Sequence, residues 1–169
     1  MDFSRLNYPR LAVGLSSSAL LLISLFFLPW YSLEENPQRV VEGANVNPDA
    51  WVCGVGDFDC TGFETFPILR WALILAALAP IILAYILARG HKTSYPPGEL
   101  TMIAGFTALV LIGYNGIVDR PGSNVAEIGV GLRYGYWIAL LAAIAIAGVG
   151  FTRSLESGGH KVRKAPGTV

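Results

Sequence analysis

Two residues in this chain invite a chemical reading first: Cys53 and Cys60, its only thiols. Six residues lie between them, among them Gly54 and Gly56, so the segment is short and pliant enough to close on itself. A disulfide here would stabilise a strand-turn-strand edge by about 2–3 kcal/mol in the loop-entropy model. The rival readings are a redox-active pair and half of a metal site. Redox pairs usually take the form Cys-x-x-Cys, which is absent. A structural zinc site needs about four ligands. The only histidines, His91 and His160, fall in segments assigned below to the other side of a membrane.

Polar residues beside or within the apolar runs are the next candidates. Arg70 interrupts the second run about one turn from its outer end. It reads either as a snorkelling side chain or as half of an ion pair with Glu64 or Asp119. Asn115 is the most polar residue of the third run and is expected to hydrogen-bond a neighbouring helix. Asp119, Arg120 and Arg133 flank a second outer loop and read as an exposed, weakly stabilising salt-bridged loop. Trp30 and Trp51 bracket the first outer loop as structural or interaction anchors. Asp57 and Asp59 lack the regular ligand spacing of a calcium loop. Phosphate-binding glycine loops, His-Glu-x-x-His and Gly-x-Ser-x-Gly are absent. No span offers the axial histidine that a haem would want. No cofactor is expected.

Four apolar runs must position these residues: about 11–31, 66–88, 100–118 and 134–152. Each has roughly the 20 residues that cross about 30 Å of hydrocarbon. With 53% apolar and only 14% charged residues in a chain of 169, too little polar sequence remains to coat a soluble globule. The expected fold is all-α: one domain over 1–152, a four-helix transmembrane bundle. A secretory signal peptide would be shorter and end at small residues. The first run instead ends in Phe26-Phe27-Leu28-Pro29-Trp30-Tyr31, so an uncleaved span is expected. Gly14 and Ser18, Ala104 and Ala108, and Ala139, Ala143 and Ala147 recur every fourth residue as helix-packing stripes.

Residues 32–65 form the long outer loop, with seven acids and one base, Arg39. Trp30–Glu34, Arg39–Ala44 and Trp51–Val55, separated by Asn36-Pro37 and Asn47-Pro48, predict a small antiparallel sheet. Trp51 and Cys53, two apart on a strand, share a face that should meet Trp30 and Phe66. The tail 153–169 is basic and expected to be disordered. Lys and Arg number two before the first run, two in the 89–98 loop and four in the tail, against one and two in the outer loops. The positive-inside rule therefore places both termini in the cytoplasm of a multi-pass plasma-membrane protein. The net charge of zero argues against a nucleic-acid partner.

The four spans, the large first outer loop, Trp30, and then Trp51-x-Cys53-x6-Cys60 resemble the claudin and peripheral-myelin-protein superfamily. There the outer loop carries a Trp, then Gly-Leu-Trp, then two bonded cysteines. Asp49-Ala50-Trp51 stands here in place of Gly-Leu-Trp, and the cysteines are closer together. The chain also resembles a family of uncharacterised actinobacterial four-span proteins. That likeness rests on Leu28-Pro29-Trp30-Tyr31, Phe63-Glu64-Thr65-Phe66, Arg120-Pro121-Gly122 and Gly131-Leu132-Arg133-Tyr134-Gly135. It implies the topology and no activity.

The expected function is non-enzymatic: an integral membrane protein in the lipid bilayer that binds other membrane proteins, or its own copies, through its outer loop and bundle surface. The alternatives are a quinone-linked membrane thiol oxidoreductase and a small transporter or channel. Orientation is open to direct test in a background lacking Cys53 and Cys60. Asn45→Cys should react with a membrane-impermeant maleimide from outside the cell, and Ser94→Cys only after permeabilisation. Outside labelling at position 94 would refute the topology.

Overall fold

The computed structural model describes residues 8–33, 59–89, 96–119 and 130–159. Four long helices carry the fold: α1 (Tyr8–Phe27), α3 (Leu69–Ala88), α4 (Pro97–Gly113) and α5 (Tyr134–Gly159). A short helix, α2 (Gly62–Thr65), precedes α3, and a π-helical turn (Tyr114–Val118) continues α4. Three strands, β1 (Pro29–Leu33), β2 (Asp59–Thr61) and β3 (Val130–Leu132), form one antiparallel sheet in the order β2-β1-β3. The helices pack as a ring, α1 against α3, α3 against α4, α4 against α5 and α5 against α1. The sheet covers the end where α1 finishes and α5 begins.

Small side chains let these helices approach. The buried positions of α4 are Gly98, Thr101, Gly105, Ala108 and Ile112, alternately three and four apart. On α3 they are Leu73, Ala76, Ala77, Pro80 and Leu83, and on α1 they run from Gly14 through Ser17, Ser18, Leu21 and Ser24 to Leu25. This is the seam of left-handed helix packing, in which the stripe facing the partner repeats about every 3.5 residues. At the α4–α5 contact the backbones themselves touch. A β-carbon added at Gly105 would run into the backbone of Ala147, and one at Gly150 into that of Met102. Of the expected stripes, Gly14, Ser18, Ala108, Ala139 and Ala143 are buried, while Ala104 and Ala147 are only half-buried.

All four helices are long and apolar enough to cross a membrane, yet each buries only 28% to 33% of its span inside the bundle. The outward faces are as apolar as the core: Leu75, Ile103, Phe106 and Leu141 are all more than half exposed. A water-facing helix would put polar residues there.

Several boundaries differ from the sequence reading. The first run does not stay helical to Tyr31. Pro29 ends α1 at Phe27, and Trp30 and Tyr31 lie in β1. Phe66 and Pro67 sit in a turn before α3. The capping box Thr61/Glu64 starts the separate α2 instead. Arg153–Gly159, expected to be disordered, continues α5, since nothing before Gly158-Gly159 interrupts the helix. The sheet is expected within the first loop alone, but its third strand comes from the second. Gly131 and a length of three residues hide β3 in sequence, and it forms by pairing with an edge of β1. Arg39–Ala44 and Trp51–Val55 lie outside the described residues.

Two glycines on one helix separate close packing from open surface. Gly150→Ala should push α4 from α5 and lower the thermal unfolding midpoint in detergent, at a cost of about 1–3 kcal/mol. Gly148→Ala, with nothing within 4 Å of its β-carbon, should be neutral or gain up to about 1 kcal/mol of helix propensity.

Candidate functional site at the sheet-capped end

Trp30 ties the sheet to the helices. Its indole N–H donates to the Ser24 carbonyl at 2.9 Å and lies 3.1 Å from the Ser24 hydroxyl. That hydroxyl donates to the Gly135 carbonyl at 2.6 Å, linking α1 to the start of α5. The backbone carbonyl of Trp30 accepts from Arg133 N–H at 2.8 Å. Gly62 lies directly under the indole, where any β-carbon would collide with the ring.

Around Trp30 the aromatic rings meet edge to face. Tyr136 lies 6.1 Å from it at 84°, and Phe66 6.4 Å at 66°. Tyr31 packs on the same two rings at 6.4 and 5.8 Å. Each such pair contributes about 0.5–1.5 kcal/mol beyond its area. Trp30, Tyr31 and Tyr136 are fully buried. The Tyr31 hydroxyl donates to the Asn115 carbonyl at 3.3 Å, and the Tyr136 ring lies on Gly116, so the π-helical turn is held from both sides.

Asn115 is expected to hydrogen-bond a neighbouring helix through its side chain, but among the described residues it does not. Its Nδ2 donates to Leu111 O at 2.9 Å, one turn back on its own helix, and its backbone carbonyl makes the contact to β1. Cys60 lies in β2 opposite Tyr31, 1% exposed and packed against the aromatic cluster. Among the described residues there is no free cysteine. Cys53, Trp51 and Arg120 lie outside the described residues, and so does the proposed packing of Trp51 on the bridge.

Arg70 pairs with neither expected acid. Its guanidinium lies over the Phe63 ring, 4.5 Å from the centroid, with Trp71 at 5.6 Å. Glu64 is engaged elsewhere, accepting from Thr61 N–H at 3.1 Å and from the Thr61 hydroxyl at 2.9 Å. Asp119 is exposed and closes the π-helical turn through its N–H to Tyr114 O at 2.9 Å. Arg133 pairs across the sheet with Asp59, Nε to Oδ1 3.4 Å, both side chains about half exposed at 53% and 51%, a contact worth little.

Ser24, Gly62, Gly116 and Tyr136 belong to this site and do not stand out in sequence; Gly135 is marked there only as the end of Gly131-Leu132-Arg133-Tyr134-Gly135. Of the other four, Ser24 alone leaves a trace, three residues beyond Leu21 on the buried stripe of α1. The polar groups of Trp30, Ser24, Tyr31 and Glu64 are all engaged in holding the fold. Among the described residues no three His, Cys, Asp or Glu side chains gather where an ion could sit. What the arrangement offers is a rigid base: Ser32 faces Asp59 and Leu33 faces Val130, so segments 34–58 and 120–129 both root on this one sheet. No family model matches the chain, and neither does any curated protein or solved structure.

Trp30 variants should grade the anchor. Trp30→Phe keeps a ring but removes the donor to Ser24, and should cost about 1–3 kcal/mol. Trp30→Ala also opens a cavity and should cost about 3–5 kcal/mol. Thermal unfolding in detergent measures both, and equal midpoints for the two variants would contradict the hydrogen-bonded role.

Proposed function

We propose that this chain is a multi-pass plasma-membrane protein with both termini cytoplasmic, whose sheet-capped end displays two outer segments for recognition. It acts without catalysis, binding other membrane proteins or copies of itself. The observation that carries this reading is the shared root of 34–58 and 120–129 on one sheet clamped to the bundle by Trp30 and Tyr31. A base fixed this firmly lowers the ordering cost of binding through whatever it carries.

The membrane setting is supported by the apolar outer faces and by their limits. Exposed Trp71, Tyr114, Tyr134 and Trp137 ring the sheet end, where interfacial aromatics belong. Arg70 and Arg89 stand nineteen positions apart at the two ends of α3, about 28 Å at 1.5 Å per residue. That is close to the roughly 30 Å hydrocarbon thickness. Leu28-Pro29-Trp30-Tyr31, one of the four stretches on which the actinobacterial resemblance rests, builds the anchor, and we propose membership of that four-span group on the resemblance alone.

Cys60 and Cys53 form a structural bridge in this reading. Burial of Cys60, a residue 1% exposed, supports structure over exchange, because thiol–disulfide exchange requires access by an attacking thiolate. Unreduced peptide should show the loss of two hydrogens by mass spectrometry. Two alkylatable thiols in protein purified without reductant would overturn the bridge and revive the redox alternative.

Recognition itself is tested by isolation from native membrane in a mild detergent. The wild type should migrate with a partner or as an oligomer. A variant with 34–58 replaced by a Gly/Ser linker and Cys60→Ser should lose that association while still resisting alkaline carbonate extraction. A wild type that is strictly monomeric and partner-free would sink the proposal.

A further inference from the structure

We propose that Arg70 binds a phosphodiester oxyanion, the headgroup phosphate of a phospholipid, at the outer boundary of the bilayer. This rests on the membrane-spanning reading above. The guanidinium is held in one orientation by the Phe63 ring at 4.5 Å and flanked by Trp71 at 5.6 Å. Its hydrogen bonding is incomplete. Nη1 reaches Phe63 O only at 3.4 Å, and Nε is buried with no acceptor. Aromatic faces attract a cation but do not neutralise it.

Among the described residues no carboxylate serves as its counter-charge. Glu64 is bonded to Thr61, and Asp59 to Arg133. Helix stability does not explain the position either. Arg70 is the second residue of α3, where the helix dipole opposes a cation.

The surroundings decide what supplies the negative charge. Ile68 and Trp71, on either side in sequence, are 85% and 58% exposed. Phe63 in turn stacks at 4.8 Å on Phe26, whose neighbour Phe27 is 77% exposed. The cation is thus set in an apolar belt at the depth of the headgroups. Arg70 as a whole is half-buried, so it is not sealed off from that layer. A planar fork of donors matches two phosphate oxygens there.

The test uses the full-length protein in detergent, with bound lipid read by native mass spectrometry. The probes are phosphatidylglycerol and a diacylglycerol of the same chains that lacks the phosphate. The wild type should retain phosphatidylglycerol and not the diacylglycerol. Arg70→Gln should weaken that retention by about tenfold. Arg70→Lys should weaken it less, and Arg133→Gln, the same charge change at the same end, should leave it unchanged. A matching thermal midpoint for Arg70→Gln and wild type separates lost binding from lost fold, and Arg70→Lys serves if Arg70→Gln unfolds. Undiminished retention by Arg70→Gln, or equal retention of the diacylglycerol, would overturn the proposal. Displacement of the lipid by excess glycerol phosphate would assign the site to a free phosphate and overturn the lipid as its source. Release of wild type from membranes by alkaline carbonate would instead refute the membrane reading beneath it.

Discussion

Trp30 and Tyr31 are adjacent on one strand, and both side chains are fully buried. Regular strand geometry sends neighbours to opposite faces. The pairing of β1 with β2 resolves the conflict by slipping: Pro29 faces Thr61 while Tyr31 already faces Cys60, which leaves Trp30 as the extra residue of a bulge. A bulge re-aims one side chain and bends its strand. Here it turns the indole back along α1 to Ser24, while Tyr31 reaches across to Asn115. The sheet order, the start of α5 and the seating of the π-helical turn all depend on those two directions. Pro29 contributes from the other side, since it cannot extend α1 and so delivers the chain to the strand.

In the membrane setting proposed above, so apolar an exterior is tolerated because hydrophobicity does not hold helices together there. Between helices in lipid, apolar side chains gain nothing over lipid tails, and close backbone contact takes over. Gly98, Gly105 and Gly150 provide it at the α4–α5 contact, where even a methyl group would meet backbone. On α1 the buried small residues are Gly14, Ser17 and Ser18; a β-carbon at Gly14 would make only an ordinary contact with the Val149 side chain at 3.6 Å, and Ser18 returns its hydroxyl to Gly14 O at 2.9 Å. Of the buried serines here, Ser18 is satisfied within the helix and Ser24 by the Gly135 carbonyl at the start of α5.

Much of this was legible in sequence, for physical reasons that differ by element. Length and hydropathy mark the four helices, since each is long and apolar on its outward face as well as its buried one. The small-residue stripes were visible where they fall every fourth residue, as at Ala139 and Ala143. Gly98 and Gly105, seven apart, form no every-fourth-residue pattern, and only the 3.5-residue seam links them. Strand β3 could not be read, because Val130-Gly131-Leu132 becomes a strand only in the presence of β1. Tyr136 looked like any aromatic in an apolar run. Its importance comes from Gly116, twenty positions earlier, which leaves room for the ring. Such pairings over distance carry no local pattern.

The charged residues of the sheet end divide by what the fold gives them to do. Glu64 could have neutralised Arg70, six residues on, but the capping box holds it at Thr61 and so starts α2. That short helix in turn places Phe63, both its ring and its carbonyl, against the guanidinium. The residue that stacks Arg70 and the acid that does not pair with it are thus neighbours on one four-residue helix. Returning Glu64 to Arg70 would forfeit the cap, and with it the turn that brings Phe63 into place. The cation is left uncompensated by the same local structure that orients it.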